Sequence, residues 1–407
     1  MNILFLCHRI PYPPNKGDKI RSYNEIIFLS QKHKIYLGTT LDEKSDKNYT
    51  PELEKYCEEV FAVHFKRRWR LSKSLLSNKP FSVSNFYDKR LQAYVDRVLK
   101  NNKIDIIFCF CSSMAEYVYQ SPAFKNDDIS KIKMVMDYVD LDSDKWRQYS
   151  EYTKFPKNII YRIEQKRLLE YEKKINEIFN HSVFVSEREV NVFKRWYPEA
   201  KNIKVIQNGV DSEFFSSDPG TFTSMEEADD SSFKLIFTGV MDYFANEDGV
   251  KWFCRDILKK IKSDIPNVEF YIVGNRPTKR VQKLSKVDGV FVTGYVEDIR
   301  PYYVKADVCV IPLRIARGLQ NKVLEAMSMG KAVVATSNAS EGIICKNNSD
   351  IIIANDAESF AREVIDLLRN ENKRKDIGNS AYQNIRTNYK WETNLATFEE
   401  LFGKYTE

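Results

Sequence analysis

Short apolar runs alternate with helical patterns along the first half of the chain. The run NILFLC is followed by an amphipathic segment over residues 20–29, and then by KIYLGTT, IDIIFCFC, KMVMDYV and HSVFVS. Apolar runs of this length, bounded by turn-forming residues, predict buried strands. Strands that alternate with helices form parallel sheets, so this half predicts a doubly wound α/β domain.

The same rhythm starts again after Asn208. The runs KLIFTG, VEFYIVG, GVFVTG, DVCVIPL and AVVAT predict strands, and residues 249–262 predict a helix. Between the two halves, Asn208 and Gly209 form a turn signal, and residues 218–232 are polar and acidic enough for a surface loop. The sequence therefore predicts a second domain of the same class.

The domain boundaries follow from this pattern. We predict two Rossmann-like domains over residues 1–206 and 207–388. A last helical pattern over residues 357–405 is too long for one helix and is expected to break near residues 389–391. We expect residues 389–407 to form a helix that packs back on the N-terminal domain.

The composition is that of a soluble globular protein. The chain has 407 residues, of which 43% are hydrophobic and 29% charged, so each domain can bury a core of its own. Lysine and arginine number 63 against 57 aspartate and glutamate, and the formal charge of +6 gives only a mild preference for anionic partners. Nucleic acid is not an expected partner.

Cysteine usage and hydropathy predict a cytoplasmic protein. The seven cysteines include no C-x-x-C pair, and several lie in apolar runs where a thiol packs as a small hydrophobe. Pro11, Pro13 and Pro14 follow the first apolar run, so no core of a signal peptide is expected there. No apolar run approaches the ~20 residues that a membrane-spanning helix needs.

The most informative segment is GLQNKVLEAMSMGKAVVAT, residues 318–336. A helix is predicted over residues 321–329, and its first turn offers unpaired backbone N–H groups and a partial positive charge to an anion. Lys322 and Glu325 share one face of this helix, where the lysine can hold a phosphate and the carboxylate can accept hydrogen bonds from a ribose diol. The alternative is a purely structural role, in which Glu325 pairs with Lys322 and interacts with the helix dipole, stabilising the helix by about 0.3–1 kcal/mol.

Several segments share a family resemblance. The runs DVCVIPLRIARGLQNKVLEAMSMGKAVVAT, VIQNGVD and VTGYVEDIRPYYVKADV resemble the C-terminal domain of retaining glycosyltransferases of family 4. The stretch LFLCHRIPYPPNKGDKIRSYN resembles a bacterial subgroup tied to exopolysaccharide operons. The resemblance covers nearly the whole chain. It implies the GT-B fold, in which two Rossmann-like domains face each other across a cleft, with the acceptor on the N-terminal domain and the donor on the C-terminal domain.

The resemblance assigns donor-binding residues to the C-terminal domain. Glu325 matches the second of two family glutamates and is expected to bind the ribose of the nucleotide. The first glutamate falls on Arg317, a departure that leaves the donor sugar open and lets the guanidinium pair with the diphosphate instead. The other expected donor contacts are Gly239, Arg276, Val296, Gly318, Leu319, Gln320, Asn321 and Lys322.

A second departure concerns the diphosphate. The family usually places an arginine and a lysine after the glycine that matches Gly239, whereas FTGVMDYFANEDG has no basic residue before Lys251. Arg317, Lys322 and the helix end are then expected to stabilise the leaving diphosphate as charge builds on it. Arg276 is an expected helper, with a solvated loop charge as the alternative.

In the N-terminal domain, the resemblance implies that Gly17 and Asp18 approach the donor phosphates. Asp18 could instead cap the helix that follows. His8, which ends the first strand, is expected to meet the acceptor, with a structural role as the alternative. Lys19 and Arg21 are expected to meet an anionic acceptor, with solvation on the helix surface as the alternative.

The acidic run VMDYVDLDSDKW follows an apolar strand. Because the carboxyl ends of parallel strands line the crevice of such folds, we expect Asp140 or Asp142 to face the reacting sugar, in place of the histidine often found in the family. A metal site is the rival, but the spacing lacks the glycine and glutamate of a calcium loop. No metal and no cofactor besides the nucleotide-sugar substrate are therefore expected.

Residues 64–80, HFKRRWRLSKSLLSNKP, are basic and amphipathic. Such a pattern suits an anionic membrane surface, and a lipid-linked acceptor would need such a contact. An ordinary exposed helix is the alternative. The residues expected to touch the inner face of the plasma membrane are Lys66, Arg67, Arg68, Trp69 and Arg70.

These features predict a retaining glycosyltransferase of hexosyltransferase type. It is expected to transfer a sugar from a UDP or GDP sugar to a glycan or polyprenyl-linked acceptor in cell-surface or exopolysaccharide biosynthesis. A nucleotide-sugar 2-epimerase of the same fold and a non-catalytic sugar-nucleotide binder are the alternatives. Neither G-x-G-x-x-G nor G-x-x-x-x-G-K-[ST] occurs, which disfavours dinucleotide oxidoreductases and P-loop NTPases.

Overall fold

The computed structural model describes five stretches of the chain, residues 1–64, 79–126, 129–215, 232–316 and 318–403. Its contacts divide the chain into two compact units. The first unit consists of Met1–Gln207 with Glu392–Glu407, and the second of Asn208–Trp391. Among the described residues, no helix combines the length and the hydropathy required to cross a bilayer.

A seven-stranded sheet forms the centre of the first unit. In chain order its strands are β1 (Asn2–Cys7), β2 (Lys34–Leu41), β3 (Glu59–His64), β4 (Ile106–Phe110), β5 (Lys133–Val139), β6 (His181–Phe184) and β7 (Ile203–Val205). They lie in the order β3-β2-β1-β4-β5-β6-β7, and every neighbouring pair is parallel. The central strands β1 and β4 are apolar and buried on both faces, as a sheet covered by helices requires.

The described helices of this unit connect the strands or pack beside them. They are α1 (Gly17–Ser30), α2 (Thr50–Leu53), α3 (Phe81–Asn85), α4 (Lys89–Asn101), α5 (Ala115–Gln120), α6 (Pro122–Lys125), α7 (Asp142–Tyr152), α8 (Lys157–Ile178) and α9 (Glu187–Trp196). The chain later returns to this unit through its last helix. There Phe398 packs 5.1 Å from Phe108 of β4, and Glu399 pairs with His33 at 3.0 Å.

A six-stranded parallel sheet forms the second unit. Its strands are β8 (Phe233–Thr238), β9 (Val268–Val273), β10 (Val290–Gly294), β11 (Val308–Ile311), β12 (Ala332–Ala335) and β13 (Ile352–Ile353). They lie in the order β10-β9-β8-β11-β12-β13. The order reverses direction after β8, and this switch point is where ligands bind in open α/β sheets.

The remaining described helices begin with α10 (Phe244–Trp252), which runs through a π-helical turn, Phe253–Ile257, into α11 (Leu258–Asp264). The helices after these are α12 (Lys279–Gln282), α13 (Arg300–Lys305), α14 (Asn321–Ser328), α15 (Ser337–Ser340), α16 (Ala357–Arg369), α17 (Glu371–Asn388) and α18 (Trp391–Phe402). Of these, α14 follows β11 and leads into β12.

All the predicted strands are present, with end positions that differ by a few residues. Strands β3, β7 and β13 were not predicted; β7 and β13 have only 3 and 2 residues, whereas β3 contains the apolar run VFAV, which the sequence analysis did not assign. The helix predicted over residues 249–262 begins earlier, at Phe244, and contains the π-helical turn. The last helical pattern breaks after Asn388, as predicted, and also at Asn370.

Candidate functional site

Two glycines bring the carboxyl ends of β8 and β9 into close contact. Gly239 has φ +151° and Gly274 has φ +144°, both outside the region that L side chains favour. A Cβ on Gly274 would lie 1.8 Å from the carbonyl oxygen of Gly239, so only glycine fits there. The two loops therefore meet backbone to backbone, with Met241 donating its N–H to the Asn275 carbonyl at 2.9 Å.

Lys322 points toward the turn that Gly239 opens. Its Nζ donates to Oδ1 of Asn246 at 2.6 Å and lies 4.5 Å from the centroid of the Phe237 ring. A Cβ on Gly239 would lie 3.1 Å from this nitrogen. Burial lowers the pKa of Lys322 to about 7, although Glu325 favours the ammonium form. An anion bound beside Lys322 would raise its pKa further, as Glu325 does, and would favour the ammonium form.

The helix that carries Lys322 begins without a side-chain cap. Its N-cap residue is Gln320, which follows Gly318 in the left-handed conformation at φ +60°. The Oδ1 atom of Asn321, the first helical residue, is buried and accepts no hydrogen bond from the described part of the chain. The predicted helix start is confirmed, and its first-turn N–H groups have no capping side chain.

A relay of hydroxyl groups fixes Glu325 on the same helix. Tyr303 donates its phenolic hydrogen to Glu325 Oε2 at 3.1 Å, and the hydroxyl of Thr238 lies 2.8 Å from the phenolic oxygen. Since the phenol has only one hydrogen, Thr238 donates to Tyr303. Burial raises the pKa of Glu325, opposed by Tyr303 and Lys322. The carboxyl group is thus held in one orientation, with Oε1 left for a ligand.

Sequence reasoning missed the partners Asn246, Tyr303 and Thr238. The only signal for Tyr303 is its hydroxyl in an otherwise buried position, where a tyrosine usually finds a polar partner. Asn246 lies 76 residues from Lys322 in sequence, so no local pattern joins them. These contacts exist only because the parallel sheet brings β8, α10 and α14 together.

Other expected donor contacts differ in their surroundings. Arg276 adopts φ +53°, its side chain is 64% exposed, and its guanidinium lies 3.8 Å from Asp242, which matches the solvated alternative more closely. Val296 and Leu319 are half-buried and pack against the core of the second unit. Arg317 lies outside the described residues. The same holds for the expected membrane residues Lys66, Arg67, Arg68, Trp69 and Arg70.

In the first unit, the carboxylate of Asp18 pairs with two basic side chains that lie at the end of β1. Arg9 Nη1 lies 2.6 Å and His8 Nε2 3.4 Å from its Oδ2 atom. Burial would raise the pKa of Asp18, but these contacts hold it well below its usual range. The N-cap residue of α1 is Lys16, so Asp18 is not the N-cap, although its Oδ1 accepts the N–H of Lys19 at 3.1 Å. Asp18 serves instead as an anionic partner for the end of β1.

His8 is held between aromatic rings beside this carboxylate. Its ring stacks on Phe110 with centroids 6.0 Å apart and meets the edge of Phe86 at 5.2 Å. Burial alone would lower the pKa of His8, but Cys111 and Asp18 together raise it to about 9. The raised pKa favours the imidazolium form, whose charge the Asp18 carboxylate balances at 3.4 Å.

The structure contradicts the acceptor contact expected for Arg21. The side chain is fully buried, with Nε 2.8 Å from Asp137 Oδ2 and 3.0 Å from Glu25 Oε1. Its Nη1 donates to the Ile206 carbonyl at 2.8 Å. Lys19 is also buried, and burial lowers its pKa, so the expected surface contact with an acceptor does not fit it either. Arg21 instead links α1, β5 and the end of β7.

The acidic run lies where it was predicted, at the carboxyl end of β5. Val139 has φ +62°, a strained conformation for a β-branched residue, and its N–H donates to Asp137 Oδ1 at 2.8 Å. Asp140 follows at once and is half-buried. Asp142 begins α7 and lies 3.6 Å from Lys145. The role of either carboxylate toward a sugar stays a prediction.

Sequence reasoning also missed Glu172, a buried carboxyl group beneath the start of α7. It accepts hydrogen bonds from the Ser143 N–H at 3.2 Å and the Ser112 hydroxyl at 3.4 Å. Burial raises its pKa to about 8, so it is mostly protonated at neutral pH. The only sequence signal is a glutamate in the interior of an amphipathic helix, which is weak.

The candidate site lies in the part of the chain that matches a known protein family. Residues 232–370, which contain Gly239, Tyr303, Lys322 and Glu325, match the family model described as Glycosyl transferases group 1. An uncharacterized 44.6 kDa protein of the cps region of Klebsiella pneumoniae is 23% identical over 403 residues, covering 95% of this chain and 96% of that protein. An uncharacterized glycosyltransferase of Methanocaldococcus jannaschii is 26% identical over 246 residues, 58% of this chain and 62% of its own length.

Solved structures resemble this chain over nearly its whole length. Sucrose-phosphate synthase from Thermosynechococcus elongatus superimposes with a TM-score of 0.71 at 16% identity, over 98% of each chain. Anabaena HepE in complex with UDP and glucose superimposes with a TM-score of 0.67 at 14% identity, over 99% of each chain. At these identities the likeness shows the fold, and the predicted α/β fold of GT-B type is confirmed.

Proposed function

We propose that the protein is a retaining glycosyltransferase with a nucleoside diphosphate sugar as donor, because residues 232–370 match the family model of group 1 glycosyl transferases. The observation that supports this most directly is the presence of Lys322 and Glu325, three residues apart, near the start of α14. One end of a single helix offers a cation for phosphate and an oriented carboxyl group for ribose. Anabaena HepE, which shares the fold at 15% identity, has been solved with UDP and with UDP-glucose, and this favours a uridine nucleotide.

The proposed chemistry is stabilisation of a leaving diphosphate. When the bond between the sugar C1 and the phosphate oxygen breaks, negative charge grows on the diphosphate. Lys322 and the N–H groups at the start of α14 are already fixed before this happens, so they stabilise the transition state more than the ground state. The acceptor hydroxyl forms the new bond to C1 and gives its proton to the leaving phosphate, in the scheme that the family resemblance implies.

This scheme asks for no nucleophilic carboxylate in the protein. We propose that Asp140, at the carboxyl end of β5, orients the reacting sugar, with Asp142 in a supporting position. His8, which is paired with Asp18 at the end of β1, is proposed to contact the acceptor. We expect the reaction to proceed without an added metal, because Lys322 and the helix end supply positive charge, and an activity that EDTA abolishes would contradict this.

The acceptor is proposed to be a glycan or a polyprenyl-linked glycan used in cell-surface polysaccharide synthesis. The relative encoded in the Klebsiella pneumoniae cps region supports this class of acceptor. A lipid-linked acceptor places the enzyme at the inner face of the plasma membrane, in the cytoplasm. The contact predicted for Lys66, Arg67, Arg68, Trp69 and Arg70 belongs to the same proposal.

The test is a transfer assay with UDP and GDP hexoses and an extract of lipid-linked glycans. We expect a glycosylated product whose new linkage keeps the anomeric configuration of the donor, measured by nuclear magnetic resonance. An inverted linkage would contradict the retaining mechanism. A parallel incubation without acceptor addresses the 2-epimerase alternative, since an epimerase converts the donor sugar and a transferase leaves it or hydrolyses it slowly.

A non-catalytic nucleotide-sugar binder is the second candidate. It is favoured by Arg317, which stands where the family has its first glutamate, and by the missing basic pair after Gly239. Nucleotide-sugar binding with no transfer to any glycan would support it. Replacing Arg317 by Glu is then expected to restore the family pattern, and transfer that appears only in this variant would identify the wild type as a binder.

A further inference from the structure

Helices α7 and α8 form a hairpin in the first unit, closed by residues 153–156. Three aromatic side chains pack between the two helices. The ring of Trp146 lies 5.8 Å from Tyr149 on the same helix and 5.3 Å from Tyr161 on the other, and the two tyrosines are 6.1 Å apart. Aromatic pairs stabilise a fold by more than the apolar area they bury, so this cluster holds the two helices together near the turn.

The turn of this hairpin exposes large apolar side chains that the structure does not cover. Tyr152 is 63% exposed, Phe155 is 76% exposed and Ile159 is 47% exposed. All three fall within one short stretch, residues 152–159. Single exposed apolar residues are common on soluble proteins, but a cluster of this kind marks a contact surface.

The acidic side chains near the turn are already engaged, since Glu164 is buried and accepts hydrogen bonds from the N–H groups of Phe81 and Ser82. The acidic side chain closest to the turn, Glu151, forms an ion pair with Arg147, whose Nη1 lies 2.6 Å away. Four exposed basic side chains lie in the turn or in the part of α8 that follows it, and none of them forms an ion pair within the described ranges. These are Lys154, Lys157, Arg162 and Lys166.

We propose that this hairpin tip, residues 152–166, docks on the surface of an anionic lipid bilayer. Phe155, Tyr152 and Ile159 enter the headgroup region, where aromatic side chains are favoured, and the basic side chains contact lipid phosphates. The contact is peripheral, since no described helix can span a bilayer. The proposal does not depend on the sugar transfer proposed above, and it concerns a different segment from residues 64–80.

Charge decides between a membrane and a second copy of the chain as the occupant of this surface. Two copies meeting at their hairpin tips would bring the unpaired cations of both together, and such like-charge contact opposes association. An anionic lipid surface supplies negative charge to all of them at once. It also accepts the apolar side chains without a shaped pocket.

The test is co-sedimentation of the full chain with phosphatidylglycerol-rich vesicles and with phosphatidylcholine vesicles. We expect the wild type to bind the anionic vesicles and to lose binding as salt is raised. The double variant Lys154→Glu/Lys157→Glu is expected to bind at least roughly tenfold more weakly, since each basic residue near such a surface contributes substantially. The variant Tyr152→Ser/Phe155→Ser/Ile159→Ser is expected to lose the part of the binding that persists at high salt.

The matched control carries the same kinds of changes at another exposed site of the first unit. Lys194, Arg195 and Trp196 lie exposed at the end of α9, and the variant Lys194→Glu/Arg195→Glu/Trp196→Ser is expected to bind vesicles like the wild type. Circular dichroism and UDP binding verify that each variant is folded, independently of any transfer activity.

Three outcomes would overturn the proposal. The wild type could fail to bind anionic vesicles, the hairpin variants could bind as the wild type does, or the control variant could lose as much binding as they do. A change of oligomeric state in the hairpin variants, with vesicle binding intact, would assign the surface to a second copy of the chain instead. Loss of UDP binding alone would count against the proposed function and leave this inference standing.

Discussion

Tyr303 donates a hydrogen bond to Glu325 at 3.1 Å and in turn accepts one from Thr238 at 2.8 Å. This relay ties α13, β8 and α14 together at one carboxylate. A free carboxyl group would sample several rotamers, whereas this one is held by a buried phenol. The proposed ribose contact therefore depends on two residues that do not touch the ribose themselves.

We predict that Glu325→Gln lowers the affinity for UDP or GDP roughly tenfold, because an amide accepts ribose hydroxyls more weakly than a carboxylate. Tyr303→Phe is expected to lower it less, through looser positioning of the carboxyl group. Titration calorimetry with ribonucleotides and with the 2′,3′-dideoxy forms checks this. Both variants are expected to lose discrimination between the two sugars, and unchanged discrimination would show that ribose binds elsewhere.

The contact between Gly274 and Gly239 makes a prediction about stability. Gly274→Ala places a Cβ against the Gly239 carbonyl, so we expect the free energy of unfolding to fall by roughly 3 kcal/mol. Gly294→Ala is the control, since Gly294 also has positive φ, +73°, but no atom lies within 4 Å of the added carbon. It is expected to cost about 1 kcal/mol from backbone strain alone. Equal losses in urea unfolding would contradict the steric account.

The buried charge cluster at Arg21 is expected to be structural. Arg21→Met leaves Asp137 buried without its cation, and we expect the free energy of unfolding to fall by roughly 3–5 kcal/mol. Arg97→Met removes an exposed ion pair with Glu59 and is expected to change the free energy of unfolding by less than about 1 kcal/mol. If Arg21→Met unfolds at the wild-type urea concentration and loses only transfer activity, Arg21 acts on the substrate after all.

The lowered pKa of Lys322 predicts a pH dependence of stability. In the folded protein this pKa is about 7, whereas an unfolded lysine titrates near its usual value of about 10.4. Between these values the unfolded chain binds more protons, so the contribution of Lys322 to the free energy of unfolding rises with pH through this window and is flat below it. We expect the wild type to gain stability relative to Lys322→Met from pH 7 to pH 10, measured by urea unfolding.

The same group predicts proton uptake when a diphosphate binds. The anion favours the ammonium form, so above pH 7 binding takes a proton from the buffer and the affinity falls as pH rises. Calorimetry at pH 8 in buffers of different ionisation enthalpy measures this uptake. It is expected to be absent in Lys322→Met, and identical uptake in both proteins would assign the proton to another group.

The sequence predicted the sheets well because their central strands are apolar on both faces. Strands β1 and β4 read as continuous hydrophobic runs, which few other structures produce. It missed β3 and β13, where side chains are half-buried or the strand has two residues. The 2 residues of β13 are too few to form a pattern, whereas β3 contains the apolar run VFAV, which was not assigned.

The candidate site could be predicted only where it is local. Lys322 and Glu325 lie on one helix turn, so their spacing alone placed them together. Arg21 was expected to meet an anionic acceptor, or to be solvated on the helix surface, yet its partner Asp137 is 116 residues away and the Ile206 carbonyl 185 residues away. Such long-range contacts leave no pattern in the sequence around either residue.

The most direct test of the account is calorimetric titration of the wild type, Lys322→Ala and Lys251→Ala with UDP and GDP. Lys251 is the control because it is half-exposed and already paired with Glu247. We predict that one of the two nucleotides binds the wild type and that Lys322→Ala weakens this binding by roughly tenfold to a hundredfold, the loss of a charged hydrogen bond. Lys251→Ala is expected to bind as the wild type does. Equal affinities of all three proteins would contradict a diphosphate site at the start of α14.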